Sequence, residues 1–184
     1  SAVDVDVTGD YTLTYTVTDS SGMEANATRN VTVVDTTVPT VSLSGDANVT
    51  HEAATSYSDA GATWTDAVDG NGSATVSGTV DISVPGTYTL TYSKTDVVGN
   101  GATQVTRTVT VRDSTKPVIS LTGSSTVTHE AATIYSDAGS TWTDTLDGNG
   151  TLVASGTVNV NVPGAYVLTY DFTDATGNAA DQVT

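Results

Sequence analysis

The chain has no cysteine, so no disulfide can staple it and no thiolate can hold a metal. It is also short of positive charge. Lys and Arg total 5 against 21 Asp and Glu, a formal net charge of −16 over 184 residues. Such a surface repels nucleic-acid phosphates and the anionic face of a membrane, so neither is expected as a partner. Phe and Met occur once each, and no apolar run is long enough to cross a bilayer as a helix. No window carries the 3.6-residue period of an amphipathic helix. What the chain does have is Thr, 38 residues of 184, interleaved with Val. Both favour a pleated, half-buried surface, and the expected fold class is all-β.

One stretch recurs and organises the rest. Val84-Pro85-Gly86-Thr87-Tyr88-Thr89-Leu90-Thr91-Tyr92 is followed by Asp96-Val97-Val98-Gly99-Asn100. The earlier copy runs from Gly9 through Tyr11 and Tyr15 to Asp19 and Gly22. The later one runs from Val162 through Tyr166 and Tyr170 to Asp174, Gly177 and Asn178. Gly9 to Gly86 is 77 residues and Gly86 to Gly164 is 78. A period this long predicts tandem domains, each with its own core, rather than a solenoid.

The repeat sets the expected boundaries. Residues 1–35 match the C-terminal half of a repeat, 36–113 a complete one, and 114–184 one lacking most of its last strand. In the first piece Val3, Val5 and Val7 alternate as a strand would, as do Tyr11, Leu13, Tyr15 and Val17, and then Ala27, Arg29, Val31 and Val33. In the complete repeat Val80, Ile82 and Val84 predict a further strand, and Asp69-Gly70-Asn71-Gly72 a tight hairpin. Seven or so short strands with turn signals every 8–12 residues suit a β-sandwich. Asp35-Thr36-Thr37-Val38-Pro39 and Asp113-Ser114-Thr115-Lys116-Pro117 are linkers, stiffened by proline. The chain opens in mid-repeat, which predicts a piece of something longer. Exchange of a strand between neighbouring copies is the other way to complete both ends.

Gly86-Thr87-Tyr88-Thr89-Leu90 has the form of a tyrosine corner, with Leu90 in the place of the second core Cys of an immunoglobulin domain. In order along the chain stand the Asp-containing linker, Tyr57-Ser58-Asp59-Ala60-Gly61-Ala62, Asp66-Ala67-Val68-Asp69-Gly70, the Tyr88 stretch and Asp96-x-x-Gly99-Asn100. This ordered set resembles the immunoglobulin-like repeats of bacterial surface proteins, close to the hyalin-repeat group. The resemblance implies tandem immunoglobulin-like β-sandwich domains in an extracellular stalk or adhesin at the bacterial cell surface. It implies no catalysis, and neighbouring repeats of the same protein as partners. Trp64 and Trp142 stand where that pattern has a small residue, and Met23 replaces the turn Asn in the first copy.

The carboxylates near the linkers are the best candidate site. Asp35 and Asp113 sit at the junctions. The Asp96–Asn100 turn belongs at one end of a sandwich, where Glu52 or Asp59 could join it. Hard oxygen ligands in a cysteine-free acidic protein suit Ca²⁺. A second candidate is the pair of loops Asp66, Asp69, Asn71 and Asp144, Asp147, Asn149, where a simple tight turn explains the residues better than a cation does. Trp64 and Trp142 offer sugar-stacking platforms, but their parity with Ala60 and Ala62 places them in the core. His51 and Glu52 are adjacent strand residues and point to opposite faces, so they do not share a metal. No His stands in a nucleophilic triad pattern. Lys94 and Lys116 have no counterpart one period away, so no isopeptide staple is expected.

The function expected is therefore a non-enzymatic extracellular module: a stalk, spacer or filament subunit of a repetitive surface protein, stiffened by calcium. One alternative is a carbohydrate-binding module built on Trp64 and Trp142. The other is a filament in which copies complete one another by strand exchange.

Overall fold

The computed structural model describes residues 2–184. Twelve strands and no helix are found among them, so none of these residues forms a helix able to cross a membrane. β1 (Gly9–Thr18) and β2 (Glu24–Val33) form a two-stranded antiparallel sheet. β3 (Thr40–Leu43), β5 (Ala62–Asp66) and β6 (Gly70–Ser73) form a three-stranded sheet in the order β3-β5-β6. β4 (Asn48–Glu52), β7 (Thr75–Ser77), β8 (Gly86–Ser93) and β9 (Val105–Arg112) form a four-stranded sheet in the order β4-β9-β8-β7. β10 (Val118–Leu121), β11 (Ser140–Asp144) and β12 (Gly148–Leu152) repeat the three-stranded sheet. All of this is the all-β class that the Thr/Val composition leads one to expect, built as short antiparallel sheets.

The chain divides into two compact units. One comprises Ser1–Val49, Ser58–Thr79 and Thr89–Thr108; the other comprises Thr50–Tyr57, Val80–Tyr88 and Val109–Thr184. The division cuts across the 78-residue repeat. The first unit buries Val41, Ala62, Trp64, Leu90 and Tyr92. The second buries Ala53, Val109, Val111, Ile119 and Tyr170. A fully buried Val or Leu contributes about 1.5–3 kcal/mol. Leu90, on β8, is buried.

The tyrosine corner is present three times. Tyr11, Tyr88 and Tyr166 each donate their hydroxyl to the carbonyl four residues back: Val7 at 2.8 Å, Val84 at 2.7 Å and Val162 at 2.8 Å. A second repeated feature is unexpected. Ala54 and Ala132, one period apart, both have positive φ (56° and 59°), and their amides donate to Ile82 and Val160 at 2.8 Å.

Two expected strands do not form. Residues 2–8 lie outside any ladder, and Val5 and Val7 are exposed. Their alternation has no third strand to pair with, and Asp4 turns the backbone by accepting the Asp6 amide at 3.1 Å. Val80, Ile82 and Val84 also lie outside a strand. Asp81 intervenes, because its carboxylate accepts the Ser83 amide at 2.9 Å and its carbonyl faces the Val84 amide at 3.5 Å. A short Asp side chain that bonds its own backbone two residues on competes with the ladder.

Candidate functional site

Both linkers are tied down by the same set of hydrogen bonds, one set in each unit. In the first unit Asp35 Oδ1 accepts the Thr37 amide at 3.0 Å and its hydroxyl at 2.6 Å. This turn leads into Pro39, which is buried. The Asp35 carbonyl accepts Asn100 Nδ2 at 3.2 Å, and Asn100 Nδ2 also reaches Asp96 Oδ2 at 2.7 Å. Asp96 Oδ1 gathers the amides of Val98, Gly99 and Asn100 at 3.0, 2.7 and 2.7 Å. Asp66 Oδ1 caps its own turn, accepting the amides of Val68 and Asp69. Asp69 Oδ2 then accepts the Val97 amide at 2.7 Å, which joins that turn to the Asp96 turn.

The second unit repeats this. Asp113 Oδ1 accepts the Thr115 amide at 3.1 Å and its hydroxyl at 2.8 Å, ahead of the buried Pro117. Asn178 Nδ2 donates to the Asp113 carbonyl at 3.4 Å and to Asp174 Oδ2 at 2.9 Å. Asp144 caps Leu146 and Asp147, and Asp147 Oδ2 accepts the Ala175 amide at 3.0 Å. Carboxylate oxygens of Asp113, Asp147 and Asp174 all lie within 4.8 Å of one another. Two ligands of one Ca²⁺, each about 2.4 Å from it, are at most about twice that apart. In the first unit the matching residues are Asp35, Asp69 and Asp96. There Asp35 Oδ2 is buried and accepts no hydrogen bond.

A corner, a linker turn and an Asp–Asn clamp thus recur in one all-β chain. The sequence model of the family described as bacterial surface protein, Ig-like domain, matches residues 1–33, 41–111 and 119–184. The chain belongs to this family. A lipoprotein from Bacteroides thetaiotaomicron, known from its crystal structure, is similar at 27% identity with a TM-score of 0.36. The match covers 42% of this chain and 39% of that one, so the chain spans less than half of the lipoprotein's length. No curated protein matches the chain.

In this bacterial surface Ig-like chain, Asp96 and Asp174 are buried turn residues whose electrostatics are decided by donors. Burial opposes their ionisation. The Asn100 side chain and the Asn100, Gly99 and Val98 amides outweigh it at Asp96, and hold that carboxyl below its ordinary value. The Asn178 side chain and amide, with the Thr176 hydroxyl, do the same at Asp174. Both therefore carry full negative charge at neutral pH, as a cation site requires.

The other expected site residues are placed as follows. Glu52 lies at the second linker, where its two oxygens accept the Ser114 amide at 2.7 Å and hydroxyl at 2.6 Å. These bonds hold its carboxyl below the usual value. Asn71 and Asn149 belong to β6 and β12, opposite Thr65 and Thr143, and are exposed. Trp64 is buried with Lys94 Nζ 4.2 Å from its ring centroid. Trp142 is half-buried, and the Phe172 ring stacks on it at 3.9 Å and 18°. His51 and His129 each meet a tyrosine edge, Tyr57 and Tyr135, and bond to Thr55 and Thr133.

One network was not anticipated from the sequence. Arg107, on β9, is buried and forms an ion pair with Asp59 Oδ1. Its Nε donates to the Asp46 carbonyl at 2.8 Å and its Nη2 to the Ser44 carbonyl at 2.5 Å. Tyr92 donates to Asp59 Oδ2 at 2.7 Å and accepts from Arg107 Nη1 at 3.1 Å. Burial opposes ionisation of Asp59, but Tyr92 and Arg107 outweigh it and keep its pKa below the ordinary value. The signal was available, since Arg107 shares its parity with Val109 and Val111, the core face of the strand.

Proposed function

We propose that the chain is a non-enzymatic spacer in a bacterial surface protein, extending and positioning domains that lie elsewhere. The observation that carries this reading is the clamp made twice, Asn100 Nδ2 on the Asp35 carbonyl and Asn178 Nδ2 on the Asp113 carbonyl. A linker whose backbone is held by the following turn, and whose proline is buried, is a stiff joint rather than a tether. Small-angle scattering tests the reading. The native chain is expected to fit one stiff conformation, and Asn100→Ala with Asn178→Ala to broaden it. A native profile that already requires a wide range of conformations, unchanged by the variants, overturns the spacer reading.

A second element is Ca²⁺ as the stiffener, favoured by the approach of the Asp113, Asp147 and Asp174 oxygens. Three carboxylates this close repel one another, and a divalent cation would turn that repulsion into attraction. The measurement is thermal unfolding in excess EDTA and again in millimolar Ca²⁺. A cation at 100 times its Kd adds about 2.7 kcal/mol, a rise of a few degrees. Asp147→Asn should abolish most of the rise, and a melt indifferent to Ca²⁺ removes the cation from the proposal.

A further inference from the structure

Asn100 holds the first linker, and the residue after it is Gly101. The side-chain carbonyl carbon of an Asn can be attacked by the backbone nitrogen of the next residue, which closes a cyclic imide. Gly is the most permissive residue at that position. It has no Cβ to crowd the ring, and it reaches the backbone angles that closure needs. The chain has three Asn-Gly pairs: Asn71-Gly72, Asn100-Gly101 and Asn149-Gly150.

Two of them are protected. Gly72 pairs with Trp64 on β5, and Gly150 with Trp142 on β11. The Ala74 amide donates to the Ala62 carbonyl at 2.9 Å. Every second pair of an antiparallel ladder is hydrogen-bonded, so the Gly72 nitrogen is tied to Trp64. β12 keeps the same register one period on. Gly72 also lies against the indole, where a Cβ would stand 3.1 Å from Trp64 Nε1.

Gly101 is placed differently. It faces Thr95 in an isolated bridge. The hydrogen bonds lie on either side of it: the Asp96 amide to the Asn100 carbonyl at 3.1 Å, and the Ala102 amide to the Lys94 carbonyl at 2.8 Å. Such a pair turns its own amides away from the partner, and the Gly101 nitrogen donates to no backbone group among the described residues. Gly101 is exposed. The Asn100 side chain is restrained by its bonds to Asp35 and Asp96. Turning one side chain out of those bonds disturbs far less than opening a ladder. The second unit has the same geometry. Thr173 bridges Ala179, with the Asp174 amide on the Asn178 carbonyl at 3.1 Å and the Ala180 amide on the Phe172 carbonyl at 2.9 Å. Asn178 makes the same clamp, but Ala179 carries the methyl that Gly101 lacks.

We propose that Asn100 is a self-modifying site. The Gly101 nitrogen bonds to the Asn100 side-chain carbonyl carbon, and the bond from that carbon to Nδ2 breaks. Nδ2 leaves as ammonia, with the proton that Gly101 gives up. Water then opens the imide at either carbonyl and leaves aspartate or isoaspartate. The donor of the clamp becomes a carboxylate facing the Asp96 carboxylate and the Asp35 carbonyl, which it repels. The first linker is released in one irreversible step, and the second stays closed. The chemistry stands on the backbone geometry alone; its effect on the linker rests on the spacer reading.

The test is peptide mapping by mass spectrometry of the full chain, incubated at mildly alkaline pH, where the attacking nitrogen sheds its proton more readily. Asn100 should convert first, with Asn71, Asn149 and Asn178 intact when half of it is gone. Gly101→Ala should keep Asn100 intact over the same time. A Cβ there meets nothing within 4 Å, so the variant keeps the fold. Ala179→Gly should make Asn178 convert as Asn100 does. The aged chain and Asn100→Asp should both broaden the small-angle scattering profile. An Asn100 that stays intact, that converts after Asn71 or Asn149, or that converts equally in Gly101→Ala overturns the site. Conversion without broadening overturns the release of the linker where Asn100→Ala with Asn178→Ala does broaden the profile. Where that pair does not broaden it either, the spacer reading is what fails.

Discussion

Arg107 pairs with Asp59 while Tyr92 bonds to both, so one guanidinium, one carboxylate and one phenol satisfy each other in the middle repeat. The guanidinium is essentially inaccessible and the carboxylate retains partial exposure. Replacing Arg107 with Met strands the carboxylate and removes the donor to the Asp46 and Ser44 carbonyls. Loss of one member of a buried pair costs about 3–5 kcal/mol. Urea unfolding of Arg107→Met should show a lower midpoint by an amount in that range, with little change in slope. Asp59→Asn should cost comparably, and the double variant less than the sum, because the two share one interaction.

The corner hydroxyl of Tyr88 is a smaller matter. It makes one hydrogen bond, to the Val84 carbonyl at 2.7 Å, and Tyr88→Phe removes the donor while leaving the ring. The expected loss is about 1 kcal/mol, read as a fall of a few degrees in Tm. Tyr166→Phe should behave alike, because its hydroxyl also reaches Val162 at 2.8 Å. A Tm unchanged in both variants would mean that the corner is held by ring packing alone.

Acid stability follows from Asp59, Asp96 and Asp174, each held below its ordinary pKa. In the unfolded chain these groups titrate near about 3.9. The unfolded state therefore takes up protons first as pH falls, and stability drops. The contribution is full above the unfolded value and is lost as pH descends through the folded ones. Urea midpoints measured between about pH 6 and 3 should fall most steeply below about pH 4. Asn178→Ala, which removes the leading donor to Asp174, should flatten that limb. Relief of the charge of −16 works the other way, so a midpoint rising on acidification would mean that general repulsion outweighs these three bonds.

Much of this was legible in the sequence, for a physical reason. Tyr11, Tyr88 and Tyr166 stand at fixed offsets from a Gly, and a corner is a local device whose donor and acceptor lie four residues apart. The alternation of β8 and β9 is likewise read directly from parity. The strand expected at Val80–Val84 failed because alternation says which face a residue would take, not whether a partner strand is there to pair with it. Arg107 was overlooked because charge is habitually assigned to solvent, while its parity placed it inside. The meeting of Asp113, Asp147 and Asp174 depends on loops 27 or more residues apart in sequence, a distance that spacing within one motif does not bridge.

Alkaline stability should turn on Tyr170. Its hydrogen bond to Asp137, its burial, and the nearby charges of Asp137 and Tyr135 push its pKa up to about 12 from 10.0. The protonated phenol is the form that the fold prefers, so the unfolded chain loses its proton first as pH rises. The stabilisation is fully present below about pH 10 and is lost between there and about pH 12. Phenolate absorbance should show a late titration that Tyr170→Phe reduces; Tyr135, raised by burial and by Asp137, contributes to it as well. Asp137→Asn should bring that titration back toward the ordinary range, since it removes the acceptor and the repelling charge together. A late tyrosine whose midpoint is unmoved by Asp137→Asn would place its origin in burial rather than in this pair.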